Sequence, residues 1–126
     1  MIKIKGKFLS FEKLNGDGSI IFKDCKINYP EKVPIVWDFN PIGLNLLGTA
    51  KVIREEDGLY FDGELADQDI TKVIQKESAN LGVGGFYNRL KRNDHNKIIG
   101  MNLCYISITP TPVSPDYTFE VIESEE

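Results

Sequence analysis

The stretch from Ile98 to Ile108 (Ile-Ile-Gly-Met-Asn-Leu-Cys-Tyr-Ile-Ser-Ile) constrains this chain more than any other. Apolar residues fall at both odd and even positions, so an extended strand here has no polar face. A strand of that kind needs neighbours on both sides, and this one is expected at the centre of a sheet. Around it the pattern is period two. Ile2, Ile4 and Phe8 alternate with Lys3, Lys5 and Lys7, which reads as a half-buried strand over residues 1–10. Residues 20–27 read as a second strand whose alternation slips at Asp24, suggesting a bulge. Pro30 and Pro34 bracket the start of a short strand ending near Trp37, and Pro34 points to an edge position or to the beginning of a strand.

Residues 48–54 and 59–65 form an expected hairpin. Its turn is Glu55-Glu56-Asp57-Gly58, with Gly58 suited to positive φ. Leu59, Phe61 and Leu65 point to one side and Tyr60, Asp62 and Glu64 to the other. The one helix signal covers residues 67–79. Asp67 or Asp69 would cap it, Ile70, Val73 and Ile74 would form its apolar stripe, and Asn80 would end it. Strands resume over 83–91, the turn Asn93-Asp94-His95-Asn96 leads into the central strand, and a last strand spans 117–122. The fold class is mainly β with one or two helices, a small closed or nearly closed antiparallel β-barrel. Residues 1–122 form a single barrel-like domain, and Glu123-Ser124-Glu125-Glu126 forms an acidic tail.

At 126 residues the chain can bury its own core without disulfides or metals. Its net charge of -4 argues against a nucleic-acid partner. The one basic cluster, Arg89, Lys91, Arg92 and Lys97, flanks a turn and reads as a solvated hairpin tip. Met1-Ile2-Lys3-Ile4 lacks the apolar core of a signal peptide, and no apolar run is long enough to span a bilayer. A cytoplasmic site of synthesis and no membrane partner are therefore expected. Cys25 and Cys104 lie in separate apolar runs and read as buried free thiols, with a disulfide left open.

Catalytic and metal-binding chemistry is sparse. His95, the only histidine, sits in a polar turn. A hydrolase with an unusual arrangement would have to pair it with Ser78 or Cys104. One His and two distant Cys give no recognised metal spacing, and Gly82-Val83-Gly84-Gly85 lacks the Lys-Ser/Thr of a phosphate loop. No cofactor or metal is expected.

Two segments carry a resemblance. The first is Val33-Pro34-Ile35-Val36-Trp37-Asp38-Phe39-Asn40, followed by Leu47-Gly48 and Asp57-Gly58-Leu59-Tyr60. The second is Leu81-Gly82-Val83-Gly84-Gly85-Phe86, followed by Leu103 to Ile108 and by Pro112-Val113-Ser114-Pro115-Asp116. In order and spacing they resemble the prohead (capsid-maturation) serine proteases of tailed phages. That family places a His after "W-D", a Ser after the Leu of "L-S-x-G", and an acid two residues before the Ser of "E-x-S-x-x-x-x-P". The corresponding positions here are Phe39, Gly82 and Tyr105, none of which can act as base, nucleophile or carboxylate.

The resemblance spans roughly Lys5 to Asp116 and implies the small β-barrel of that family, shared with herpesvirus assemblin. It also implies a catalytically inactive homologue kept for binding. The function it points to is an auxiliary (decoration or cement) protein of a tailed-phage capsid. Such a protein binds the major capsid protein, and possibly other virion proteins or itself, and resides in the virion after assembly in the bacterial cytoplasm. The alternatives are an active maturation protease with a rearranged catalytic set, or an internal scaffold or core protein of the prohead. Candidate capsid contacts are Leu44, Leu46 and Leu47, together with the edges of the strands at 1–10 and 117–122.

Overall fold

The computed structural model describes residues 1–16, 18–40 and 46–122. Eight strands appear in chain order: β1 (Ile2–Ser10), β2 (Lys26–Asn28), β3 (Val33–Trp37), β4 (Leu46–Glu55), β5 (Gly58–Leu65), β6 (Gly82–Arg92), β7 (Ile98–Thr109) and β8 (Phe119–Ile122). Between β5 and β6 lie the helix α1 (Asp69–Glu77) and a 3-10 turn, Ser78–Asn80.

All strands join one sheet, with β7 at its centre as the apolar run requires. β6 pairs with β7 antiparallel on one side. On the other side β2 and β3 pair with different lengths of β7, both parallel. From β3 the sheet continues antiparallel through β4, β5 and β1 to β8. The expected antiparallel barrel is thus corrected to a mixed sheet whose strand ladder does not close. Its two ends are joined instead by the segment before β8. There the Val83 amide donates to the Tyr117 carbonyl at 3.0 Å, and the Lys7 amide donates to the Thr118 carbonyl at 3.1 Å.

The inward-facing residues of this sheet form one core, with Ile4, Phe8, Ile35, Leu47, Leu59, Phe61, Leu65, Ile106, Ile108 and Tyr117 out of solvent. Leu59, Phe61 and Leu65 face inward and Asp62 and Glu64 outward, as their alternation requires. β7 departs from simple alternation. Phe86 opposes Tyr105 and Tyr87 opposes Leu103, which leaves Cys104 as an extra residue in a bulge. Met101 and Leu103 before the bulge, and Ile106 and Ile108 after it, therefore all join one core. The sequence looks apolar on both faces because the inward parity changes at Cys104. Both cysteines are free, Cys25 buried and Cys104 half-buried.

Several expectations shift. Residues 20–25 are not a strand. They are irregular, with a turn at Lys23 and Asp24, and are pinned where the Arg54 guanidinium donates to the carbonyls of Lys23 (2.8 Å) and Cys25 (2.9 Å). β3 is internal despite Pro34. Its pairing with β7 begins only at Ile35, so the proline's missing N–H faces no β7 partner. β1 is also internal, flanked by β5 and β8, which leaves β8 as the terminal strand. The β4–β5 turn contains Glu56 and Asp57, and Gly58 does not have positive φ. Gly58 is needed there for space, because a Cβ would lie 2.0 Å from the Leu9 carbonyl oxygen.

Neither Asp67 nor Asp69 caps α1. Gln68 is the N-cap residue, and its amide donates to the Thr71 hydroxyl at 3.1 Å. That hydroxyl lies 2.8 Å from the carbonyls of both Ala66 and Gln68. The helix seats on buried Thr71 and Ile74, with Ile70 partly covered, while Val73 is 58% exposed.

Candidate functional site

β3 ends in a tight turn that places Phe39 at the surface. Trp37 and Asn40 close the turn through a 3.1 Å backbone hydrogen bond. Between them Asp38 (φ 48) and Phe39 (φ 59) are both left-handed. For residues with a Cβ this conformation costs about 1–2 kcal/mol each, so two in succession need outside support.

That support comes from alternate residues of β7. Past the Cys104 bulge, Tyr105, Ser107 and Thr109 point away from Ile106 and Ile108, toward the turn. The Tyr105 hydroxyl donates to the Phe39 carbonyl at 3.1 Å. The Phe39 amide donates to the Ser107 hydroxyl at 2.7 Å. The Thr109 hydroxyl donates to the Asp38 carboxylate at 2.9 Å. The backbone contributes a further bond, from the Asp38 amide to the Ile108 carbonyl at 2.8 Å. Three side-chain hydrogen bonds at about 1 kcal/mol each are of the size needed to offset the strain.

Aromatic packing completes the site. Phe86 and Tyr105 are directly opposed across β6 and β7 and stack with centroids 4.9 Å apart and planes at 7°. Phe39 tilts against Tyr105 at 6.5 Å. Phe39 is 37% and Phe86 44% exposed, so the cluster presents an apolar face to solvent. Burial, with a smaller contribution from Cys104, pushes the Tyr105 phenol above its ordinary pKa. The phenol is therefore a neutral hydrogen-bond donor at physiological pH and carries no charge to orient a base.

Gly82 stands apart from this pair. It opens β6 opposite Thr109, while Phe86, four residues further along, opposes Tyr105. A Cβ at Gly82 would lie 2.5 Å from Pro112 Cγ and 2.7 Å from the Tyr117 carbonyl oxygen. The proline-rich exit from β7 thus occupies the space a serine side chain would need. Phe39 reaches the same strand two residues later, its ring lying over Gly84. The structure therefore brings Phe39 and Tyr105 into contact and leaves Gly82 beyond the cluster, under Pro112.

The other candidate catalytic residues do not meet. Cys104 lies six residues along β7 from Ile98, whereas His95 is in the turn before that strand. At about 3.3 Å per residue, Cys104 lies roughly 20 Å along the strand from Ile98, and His95 precedes that end. Ser78 precedes β6 and His95 follows it, so the full length of that strand lies between them. Among the described residues no three His, Cys, Asp or Glu side chains cluster as metal ligands.

Of the candidate capsid contacts, Leu44 lies outside the described residues. Leu47 is fully buried, and Leu46 is 50% exposed at the start of β4. The exposed pair Phe39 and Phe86 was not anticipated as a surface. Its signal was the register of Phe86 on Tyr105, which depends on the bulge and is not visible in the composition of either strand.

No helix among the described residues is long and apolar enough to cross a membrane. A scan against models of known protein families finds no match, and no curated protein matches the chain.

Proposed function

We propose that this chain is an auxiliary, decoration-type capsid protein of a tailed phage, built on an inactivated prohead-protease scaffold and binding the major capsid protein. The observation that carries the reading is the state of the three positions where the resemblance expects chemistry. Phe39 and Tyr105 are hydrogen-bonded and packed together, and the Gly82 position has no room for a nucleophile. Loss of base and nucleophile together leaves no route to an acyl-enzyme. The exposed Phe39 and Phe86 supply apolar area for docking, and aromatic anchors of this kind concentrate binding energy at protein interfaces.

The test is quantitative mass spectrometry of finished particles of the phage that encodes the chain. A fixed copy number relative to the major capsid protein is expected. Its absence from finished particles, or cleavage of the capsid or scaffold protein by the purified chain, refutes the proposal.

A further inference from the structure

Asn15 and Gly16 form the one Asn-Gly pair in the sequence. Such a pair is chemically labile, because glycine puts no side chain between its backbone nitrogen and the neighbouring amide carbon. The Gly16 nitrogen can attack Asn15 Cγ, giving up its proton to solvent and expelling the side-chain nitrogen as ammonia. Water then opens the resulting succinimide to aspartate or isoaspartate. The fold needs this glycine, because a Cβ at Gly16 would lie 2.5 Å from the Val113 carbonyl oxygen. Each group in the reaction is nevertheless held. The Gly16 amide donates to the Val113 carbonyl at 2.9 Å. Asn15 is buried; its Nδ2 donates to the Ser19 hydroxyl at 3.1 Å, and its Oδ1 accepts from the Tyr117 hydroxyl. Tyr117 is buried too, and its hydroxyl accepts from the Ser10 amide at 3.0 Å. Val113 and Tyr117 both belong to the segment 110–118, which joins the two ends of the sheet.

We propose that Asn15 is a latent modification site: its deamidation is gated by the 110–118 segment and, once complete, keeps that segment from reseating. Lifting the segment frees the Gly16 nitrogen and the Asn15 Oδ1 in one movement, since Val113 and Tyr117 leave together. Opening a closing segment of this kind takes less free energy than unfolding the sheet, so the reaction proceeds from the folded chain. Isoaspartate routes the main chain through the former side-chain carbons and adds one backbone atom between residues 15 and 16. The turn is closed by the Asn15 amide on the Ser19 carbonyl and by the Gly18 amide on the Asn15 carbonyl, each at 2.9 Å. With the extra atom it no longer presents residue 16 to Val113. The proposal goes beyond the capsid reading and does not depend on it.

The intact chain is aged at mildly alkaline pH, and amide-to-acid conversion at Asn15 is followed by peptide mass spectrometry. Conversion should be slow in the folded parent and fast in urea. Tyr117→Phe should speed it about 10-fold in the folded chain, the factor one buried hydrogen bond contributes to a local opening equilibrium. Ser19→Ala, which frees the Asn15 Nδ2, should act in the same direction and serves if Tyr117→Phe does not fold. Thr71→Val weakens the distant helix cap and should leave the rate unchanged, which separates local release from global unfolding. In the converted chain the Val83 and Lys7 amides, which donate to the Tyr117 and Thr118 carbonyls, should lose exchange protection while Ile106 and Ile108 keep theirs. The proposal is overturned if the folded parent converts as fast as it does in urea, or if neither folded variant outpaces the parent. It is equally overturned if Thr71→Val speeds conversion as much as they do, or if converted chain keeps Val83 protected.

Discussion

Replacing Ser107 by alanine tests whether β7 holds the Asp38–Phe39 turn in its strained form. The substitution removes one oxygen from a buried strand position and deletes the acceptor, 2.7 Å away, of the Phe39 amide. The tight turn offers that amide no obvious replacement, so the cost is that of an unsatisfied, partly buried donor, about 1–3 kcal/mol. The left-handed strain of two residues, about 1–2 kcal/mol each, is then opposed by the Tyr105 and Thr109 side chains and the Asp38–Ile108 backbone bond. A net loss of about 2 kcal/mol is expected. With a urea slope of ~1–3 kcal/mol/M for a chain of this size, the unfolding midpoint falls by about 1 M. Amide exchange localises the effect: Phe39 should lose protection while Ile106 and Ile108 keep theirs. A midpoint within about 0.2 M of the parent (about 0.4 kcal/mol), with Phe39 still protected, would refute the idea that the hydroxyl ladder sustains the turn.

Gly82→Ser should lower stability by about 1–3 kcal/mol, because Pro112 and the Tyr117 carbonyl occupy the space for its Cβ. The variant should also remain unlabelled by a fluorophosphonate probe, and labelling would show a working nucleophile. Thr71→Val, matched in shape, should cost about 1–2 kcal/mol by leaving the Gln68 amide uncapped, read as a lower melting temperature. The Asp57 carboxyl is held below its ordinary range by the hydrogen bond from Tyr60 first and by Lys7 second. A lowered folded-state pKa favours folding above the range where an unfolded aspartate titrates, and the benefit is lost as pH falls through the lowered value. Tyr60→Phe should therefore lower stability near neutrality, converge with the parent at low pH, and so flatten the acid side of the stability profile.

Alternation made much of the fold legible. Leu59, Phe61 and Leu65 announced their face because each is separated from the next inward position by one polar or small residue. The helix was legible from its acidic start and apolar spacing, but not its seating. Thr71 replaces Val73 on the buried face because its hydroxyl satisfies the chain entering the helix, a gain no hydropathy pattern registers. The parallel placement of β2 and β3 was illegible for a different reason. Parallel partners share no turn, so nothing local encodes the pairing of Ile35 with Ile106. Of the two positions Pro34 allowed, a sheet edge or a strand beginning, the second holds: it is the second residue of β3, and the β7 ladder begins one residue later.

The candidate site followed the same division. Phe39 and Tyr105 were identified from order and spacing along the chain, and the fold joins them. The strain in the turn and the three hydroxyls that oppose it became visible only once the Cys104 bulge had set which side of β7 faces the turn. Leu46 and Leu47 are both candidate contacts in the sequence, with ordinary core as the alternative, and strand parity divides them: Leu46 is half-exposed and Leu47 fully buried.

The parallel pairing of β3 with β7 has a consequence for the order in which the protein can be made. The ribosome releases β3, β4 and β5 early, and these can zip together as neighbours. The flank of β3 that belongs to β7, however, has no mate until residues 98–109 emerge. Until then a nascent chain carries an unfinished apolar ribbon, and contacts between such distant parts of a polypeptide form slowly. Stalled or truncated products ending before Ile98 should be the aggregation-prone species in any expression of this protein, and chaperone demand should peak just before that point.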